Sequence, residues 1–362
     1  NKFLFLIYKF SSKNRFVWRI LRKIILPIFD LYFNISDFIT FKFLRSTKEN
    51  STSKRIHIHS QAWGDYLDWF LKFNLPSLLQ KDNLPKLSSE GYEIHLYIYT
   101  SLQDKIKLLK NLKSSKSLKE FSNYGEIHIN YFNLDEFKER NDIQIRNLIH
   151  FIKDCLSNKA YFIHSPPDII FGNNSIYNAF KCIEGKNVCF SAPTARVALK
   201  KIINQTEIRN LEDLGSVISN SNLVNYLFES LHSEMEFAFD NKDNNTTFNT
   251  GVSIRKIDSS SYAVIHNIPS VFLGKFNFFD LTFFHLNFSF NDWDRKWSSL
   301  LLRTNRLKVC GSSDMFFLVE LTKDYFKKPI FDSNMLNNDL KNEGLKLEHL
   351  IPNQFISFWS SK

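Results

Sequence analysis

The residues best suited to chemistry stand at the ends of apolar runs. In "FIHSPPDIIFGNNSI", residues 162–176, an apolar strand closes on two prolines and one carboxylate, Asp168, before an Asn-rich turn. A carboxylate at the C-terminal end of a strand sits where open α/β sheets bind their ligands. A helix cap or turn former is the other role open to it. Further on, "FNDWDRKW" places Asp292 and Asp294 around Trp293, with Trp297 just beyond. An aromatic face against a sugar ring, with a carboxylate for its hydroxyl, is a carbohydrate-binding arrangement; a turn with a capping Asp is the alternative. His266 stands at a strand end in "SSYAVIHNIPSVFLGKF", and Asp314 and Glu320 are the acids that follow Asp294 along the chain.

Such residues need a scaffold, and after residue 54 strands and helices alternate. "RIHIHS" reads as a first strand, and "GDYLDWFLKFNLPSLLQ" as the helix after it, with Asp65 near its start. "YEIHLYIYTS" is a second strand ending at Thr100 and Ser101; "GEIHINYF", "AYFIHS" and "KNVCFSA" are three more, separated by helical segments. Strands rich in β-branched and aromatic residues alternating with helices predict βαβ units, hence an α/β, Rossmann-type, mostly parallel sheet flanked by helices.

Charge is distributed unevenly. Residues 1–55 hold 12 Lys/Arg against 3 Asp/Glu, a net +9, while the whole 362-residue chain is +10. The remainder is nearly neutral, so the basicity marks an N-terminal extension rather than a nucleic-acid surface. On a helical wheel, "NRFVWRILRKIILPIFDLYF" puts Arg15, Arg19, Arg22 and Lys23 opposite Val17, Ile20, Leu21, Ile24 and Ile28. It is too interrupted by charge to span a bilayer. The segment reads either as a helix lying on an anionic membrane face or as a helix packed on the protein's own core. Cys155, Cys182, Cys189 and Cys310 show no CxxC or Cys/His spacing and are expected to be plain thiols of a reducing compartment. No GxxxxGK[ST], GxGxxG after the first strand, or GxSxG occurs, which argues against P-loop, standard dinucleotide-binding and serine-elbow hydrolase sites.

The strand-end stretch "YFIHSPPDIIFGNNSIYNAF" resembles the Asp-x-Asp region of GT-A-type glycosyltransferases, with Pro166 where the first Asp would stand. The likeness extends over about residues 55–325, to bacterial glycosyltransferase-like proteins that carry "LPSLL…NLP" after the first strand and a "PD…F" strand end; this chain has "FNLPSLLQKDNLPKL", the Asp168 stretch with "GKNVCFSAPTARVAL" after it, then "YAVIHNIPSVF", "FSFNDWDRKW" and "SSDMFFLVEL" in the order that family shows. The resemblance implies transfer of a sugar from a nucleotide-sugar donor to a glycan or lipid-linked acceptor. It implies that Asp168 anchors the donor diphosphate, directly or through a divalent Mn or Mg ion, with His266 similar to a late metal-ligating His. Thr100 and Asp65 would line the nucleotide pocket, Trp293 would meet the acceptor sugar, and Asp292 or Asp294 would be its base. With Pro166 in place of a carboxylate, protein ligands alone would hold a cation weakly.

The expected organisation is an extension over 1–54, a GT-A-like domain over 55–330 (donor half about 55–200, acceptor half about 201–330) and a tail over 331–362. The expected setting is cytoplasmic, peripheral on the inner membrane face through the extension. A catalytically silent nucleotide- or sugar-binding protein of the same fold and a membrane-attached scaffold are the alternative readings.

Overall fold

The computed structural model describes residues 54–137, 140–236, 252–266, 270–286, 293–323 and 355–362. The amphipathic stretch of the N-terminal extension lies outside the described residues, as does Asp292. Among the described residues no helix is long and apolar enough to cross a membrane.

The unit from Ser53 to Lys362 is mixed α/β. Its strands are β1 (Arg55–Gln61), β2 (Glu93–Ser101), β3 (Gly125–Phe132), β4 (Tyr161–His164), β5 (Ile169–Phe171), β6 (Cys189–Ser191) and β7 (Ala195–Ala198). These are followed by β8 (Val252–Lys256), β9 (Ser261–His266), β10 (Val271–Lys275), β11 (Leu307–Val309), β12 (Leu318–Thr322) and β13 (Phe355–Ser360). The helices that matter here are α1 (Asp65–Trp69), α2 (Arg140–Asn158), α3 (Ser175–Ile183), α4 (Phe278–Leu286) and α5 (Trp293–Arg303).

Seven strands form the central sheet in the order β11-β6-β10-β4-β1-β2-β3. β10 runs antiparallel to both its neighbours and every other pairing is parallel. The segment "YAVIHNIPSVFLGKF" therefore supplies two strands in two different sheets. β9 joins β13 and β8, while β10 enters the central sheet between β4 and β6. The two expected halves thus share one sheet. Residues 355–360 are likewise no tail, because β13 pairs along its length with β9 and buries Trp359. A third sheet, β5-β12-β7, leaves the central one just after Asp168.

Strand periodicity gives the central sheet two unlike faces. One carries Ile56, Ile58, Ile94, Leu96, Ile98 and Ile163, all fully buried in the main apolar core. The other carries His57, His59, Tyr97, Tyr99 and Phe162 under α2, whose Phe151 lies with its ring centroid 4.8 Å from that of His59.

The Asn-rich turn is explained by a buried amide network. Pro76 cannot donate a helical hydrogen bond, and the chain widens into a π turn over Phe70–Asn74 just before it. From this helical hairpin Asn74 donates to the carbonyls of Pro166 (3.0 Å) and Ile169 (2.8 Å), and its oxygen accepts from Ser165 Oγ (2.7 Å). Gln80 donates to the Phe171 carbonyl (2.8 Å), and Asn83 donates to the Gly172 carbonyl (3.1 Å) and accepts from Ile176 N (3.0 Å). The polar residues of "NLPSLLQKDN" therefore clamp the backbone on both sides of Asp168. At Gly172 a Cβ would lie 1.9 Å from Asn220 Oδ1, so no side chain fits there.

Candidate functional site

A cavity of about 320 Å³ opens at the C-terminal ends of β1 and β4. Strand order reverses there: from β1 the sheet runs to β2 and β3 on one side and to β4 on the other. A crevice at such a reversal, outside the carboxyl ends of the strands, is where doubly wound sheets bind ligands. The volume is within the range of small-molecule sites.

Three acids from separate parts of the chain line this cavity: Asp168, Asp294 and Glu320. Asp168 lies on the Pro166-Pro167 link between β4 and β5, and its carbonyl accepts from Leu321 N at 2.7 Å. Glu320, on β12, is paired with Arg196 Nε at 3.2 Å. Asp294 stands in the first turn of α5, and that helix is anchored by Trp297. Trp297 Nε1 donates to Asp280 Oδ1 at 2.9 Å. Asp280, fully buried, is also held by both terminal nitrogens of Arg306, at 3.1 and 2.9 Å. That bidentate pair, with the Trp297 ring stacked on Phe276 at 5.6 Å, fixes where Asp294 begins.

Histidines form the floor. His164 lines the cavity, and its Nδ1 lies 3.0 Å from Nδ1 of His59. Gln61 Nε2 donates to the Gln144 carbonyl at 2.9 Å while its Oε1 accepts from Asn147 Nδ2 at 3.3 Å, which sets the amide orientation. Gln61 Nε2 is therefore also the donor to His59 Nε2, at 3.2 Å. His59 must then carry its proton on Nδ1 and donate to His164, which keeps its own proton on Nε2. Burial holds both imidazoles neutral: it lowers His164 to about 4 and His59 well below its ordinary value, the latter also repelled by His164. The cavity thus combines neutral imidazole with carboxylates, a set suited to binding hydroxyls and receiving a proton.

The sequence-predicted residues divide. Asp168 and Asp294 come together in this cavity, and Glu320 joins them. Thr100 does not line it; the residue is fully buried in β2, and its hydroxyl has no hydrogen-bond partner among the described residues. Asp65 is exposed at the start of α1, where its ion pair with Lys323 lowers its pKa, and it does not line the cavity either. His266 is buried at the end of β9, with Nε2 2.8 Å from Ser357 Oγ and its ring stacked against Phe355. It belongs to the β13-β9-β8 sheet, so Asp168 and His266 do not share the cavity as metal ligands. Asp314 is exposed in the turn before β12. Trp293 opens α5, beside Asp294.

His164, Gln61 and Gln144 were the residues sequence reasoning missed. The signal for His164 was present four residues ahead of Asp168, on the same strand end, and Gln61 ends the first strand. No family model matches the chain, and no curated protein shows significant similarity to it.

Proposed function

We propose that the protein is a GT-A-like glycosyltransferase that moves a sugar from a nucleotide-sugar donor to a glycan or lipid-linked acceptor. The observation that supports this reading most is the meeting of Asp168, Asp294 and Glu320 with His164 at the sheet's reversal point.

In this reading Asp168 marks the diphosphate end of the cavity, its backbone fixed by Asn74. A divalent ion, where one is used, would rest on Asp168 and the donor's own oxygens and neutralise charge on the departing diphosphate. Asp294 takes the proton of the acceptor hydroxyl as its oxygen attacks the anomeric carbon and the bond to the diphosphate breaks. Between the two remaining acids the choice of Asp294 is physical: Glu320 is already neutralised by Arg196. His164, with its proton on Nε2, is a neutral donor for a sugar hydroxyl or phosphate oxygen.

The test is release of nucleoside diphosphate from a panel of nucleotide sugars, with sugar and phosphate acceptors, by the full chain and by Asp294→Asn. Turnover with one donor, lowered roughly 10²- to 10⁴-fold in Asp294→Asn with unchanged donor binding, is the expected result. Full turnover by the variant would remove Asp294 from the mechanism.

A further inference from the structure

We propose that His95, Glu126 and His128 form a binding site for a divalent transition metal of the zinc class, separate from the cavity. The three residues sit toward the N-terminal ends of β2 and β3, whereas the cavity lies at the C-terminal ends of β1 and β4. In the parallel register His95 lies opposite Glu126 and Tyr97 opposite His128, so all three side chains fall on one face of the sheet's edge.

One hydrogen bond joins the two imidazoles, and the third member of the group, the carboxylate, is placed as a further ligand would be. His95 Nδ1 and His128 Nε2 are 3.1 Å apart, and Glu126 Oε2 is 3.6 Å from the first and 3.7 Å from the second. The carboxylate oxygen is thus beyond hydrogen-bond reach of both nitrogens. From these three separations, a point equidistant from the three atoms lies about 2.0 Å from each, the length of zinc bonds to His nitrogen and carboxylate oxygen. Without an ion, two facing imidazole nitrogens can share only one proton and the carboxylate is left to water. One ion satisfies all three.

The surroundings hold the ligands in place. The Tyr97 ring stacks on His128 with centroids 4.6 Å apart, and the His57 ring meets His95 edge-on at 5.1 Å. Two nitrogens and one carboxylate suit zinc and its neighbours better than magnesium or calcium, which favour oxygen ligands. The Glu126 and His128 side chains are 73% and 37% exposed, so a fourth position faces solvent and water completes the shell. Bound metal would tie edge strand β3 to β2.

The experiment is calorimetric titration of the chelator-stripped full chain with zinc chloride, alongside His128→Ala and Glu126→Gln, with melting curves in each state. One zinc per chain is expected, with a metal-dependent rise in Tm. Loss of an outer partner of a metal ligand already costs 10- to 100-fold in affinity, so loss of a ligand should weaken zinc by roughly a hundredfold or more. The metal-free melting of Glu126→Gln should match the parent, since that side chain is exposed. Both variants binding zinc as the parent does, no binding by the parent at micromolar zinc, or equal affinity for magnesium would each overturn the proposal. None of these outcomes depends on the cavity or on sugar transfer.

Discussion

The two faces of the central sheet are made by the same strands and behave as different materials. On one, Ile56, Ile58, Ile94 and Leu96 alternate out of β1 and β2 into an apolar core whose cohesion is independent of proton concentration. On the other, the intervening His57, His59, Tyr97 and Tyr99 pack as tightly but carry polar atoms that need partners. Tyr99 Oη lies 3.0 Å from His150 Nδ1, and Asp154 Oδ2 lies 3.0 Å from His57 Nδ1 and accepts from the Tyr97 hydroxyl at 2.5 Å. The Asp280–Arg306 pair belongs to the layer on this second side, through Trp297. His59 and His164 serve here as neutral packing residues, each with its proton on a defined nitrogen. The atoms capable of chemistry are thereby concentrated on one side of the sheet.

The largest effect expected from disturbing this contrast is at Asp280. Asp280→Ala leaves the Arg306 guanidinium buried without its partner, and removing one member of a buried pair costs about 3–5 kcal/mol. Urea denaturation should show that loss, and a loss under about 1 kcal/mol would mean that water replaces the carboxylate. On the apolar face, Ile58→Ala should cost roughly 2–5 kcal/mol, with the same value at pH 5 and pH 7.5. A marked pH dependence there would erase the distinction between the faces.

Of the two faces, acid should act on the imidazole one. Burial lowers His57 to about 4, against opposition from Asp154, and lowers His164 to about 4 as well. The unfolded chain binds those protons near pH 6.5, so the stabilising preference for neutral imidazole is fully present above that value. It is lost as pH falls toward 4, on the order of 3 kcal/mol for one such group. Denaturation midpoints between pH 7 and pH 4.5 measure it, and His164→Gln should lose less on acidification than the parent. Equal losses would assign the acid sensitivity to other groups. The smallest expected effect is at Asn74, where Asn74→Ala orphans the carbonyls of Pro166 and Ile169 at a cost of roughly 1–3 kcal/mol. It should weaken ligand binding at Asp168 more than it lowers Tm.

Much of this architecture was legible in the sequence. β1 to β4 and the helices between them announce themselves through period-two and helical patterning, because each is a continuous segment with one buried face or stripe. The placement of β10 between β4 and β6 was not legible, since "PSVFLGKF" carries no mark of its partners. Nor was β13, which lies 89 residues beyond the β9 residue it meets at the pair His266 and Phe355. At the site, Asp168 was readable because a strand-end carboxylate is a local pattern. Glu320 becomes a site residue only through the folding of β12 onto β5, beside the end of β4, and Thr100 and His266 lie outside the cavity because a strand end can also point into a core. The His95–Glu126–His128 group rests on the repeated "EIH" of β2 and β3, which becomes meaningful only once the two strands are placed in register.

Under the proposed function the Asp168 cavity binds a nucleoside diphosphate. Thermal shift of the full chain with UDP, GDP, CDP and dTDP, each with and without Mn²⁺ and repeated on Asp168→Asn, tests it directly. The prediction is that one diphosphate raises the melting temperature of the parent, equivalent to about 2.7 kcal/mol at a hundredfold excess over its Kd. Asp168→Asn should keep the parent's ligand-free Tm and lose most of that rise. An absence of stabilisation by every diphosphate, or an undiminished shift in Asp168→Asn, would contradict it.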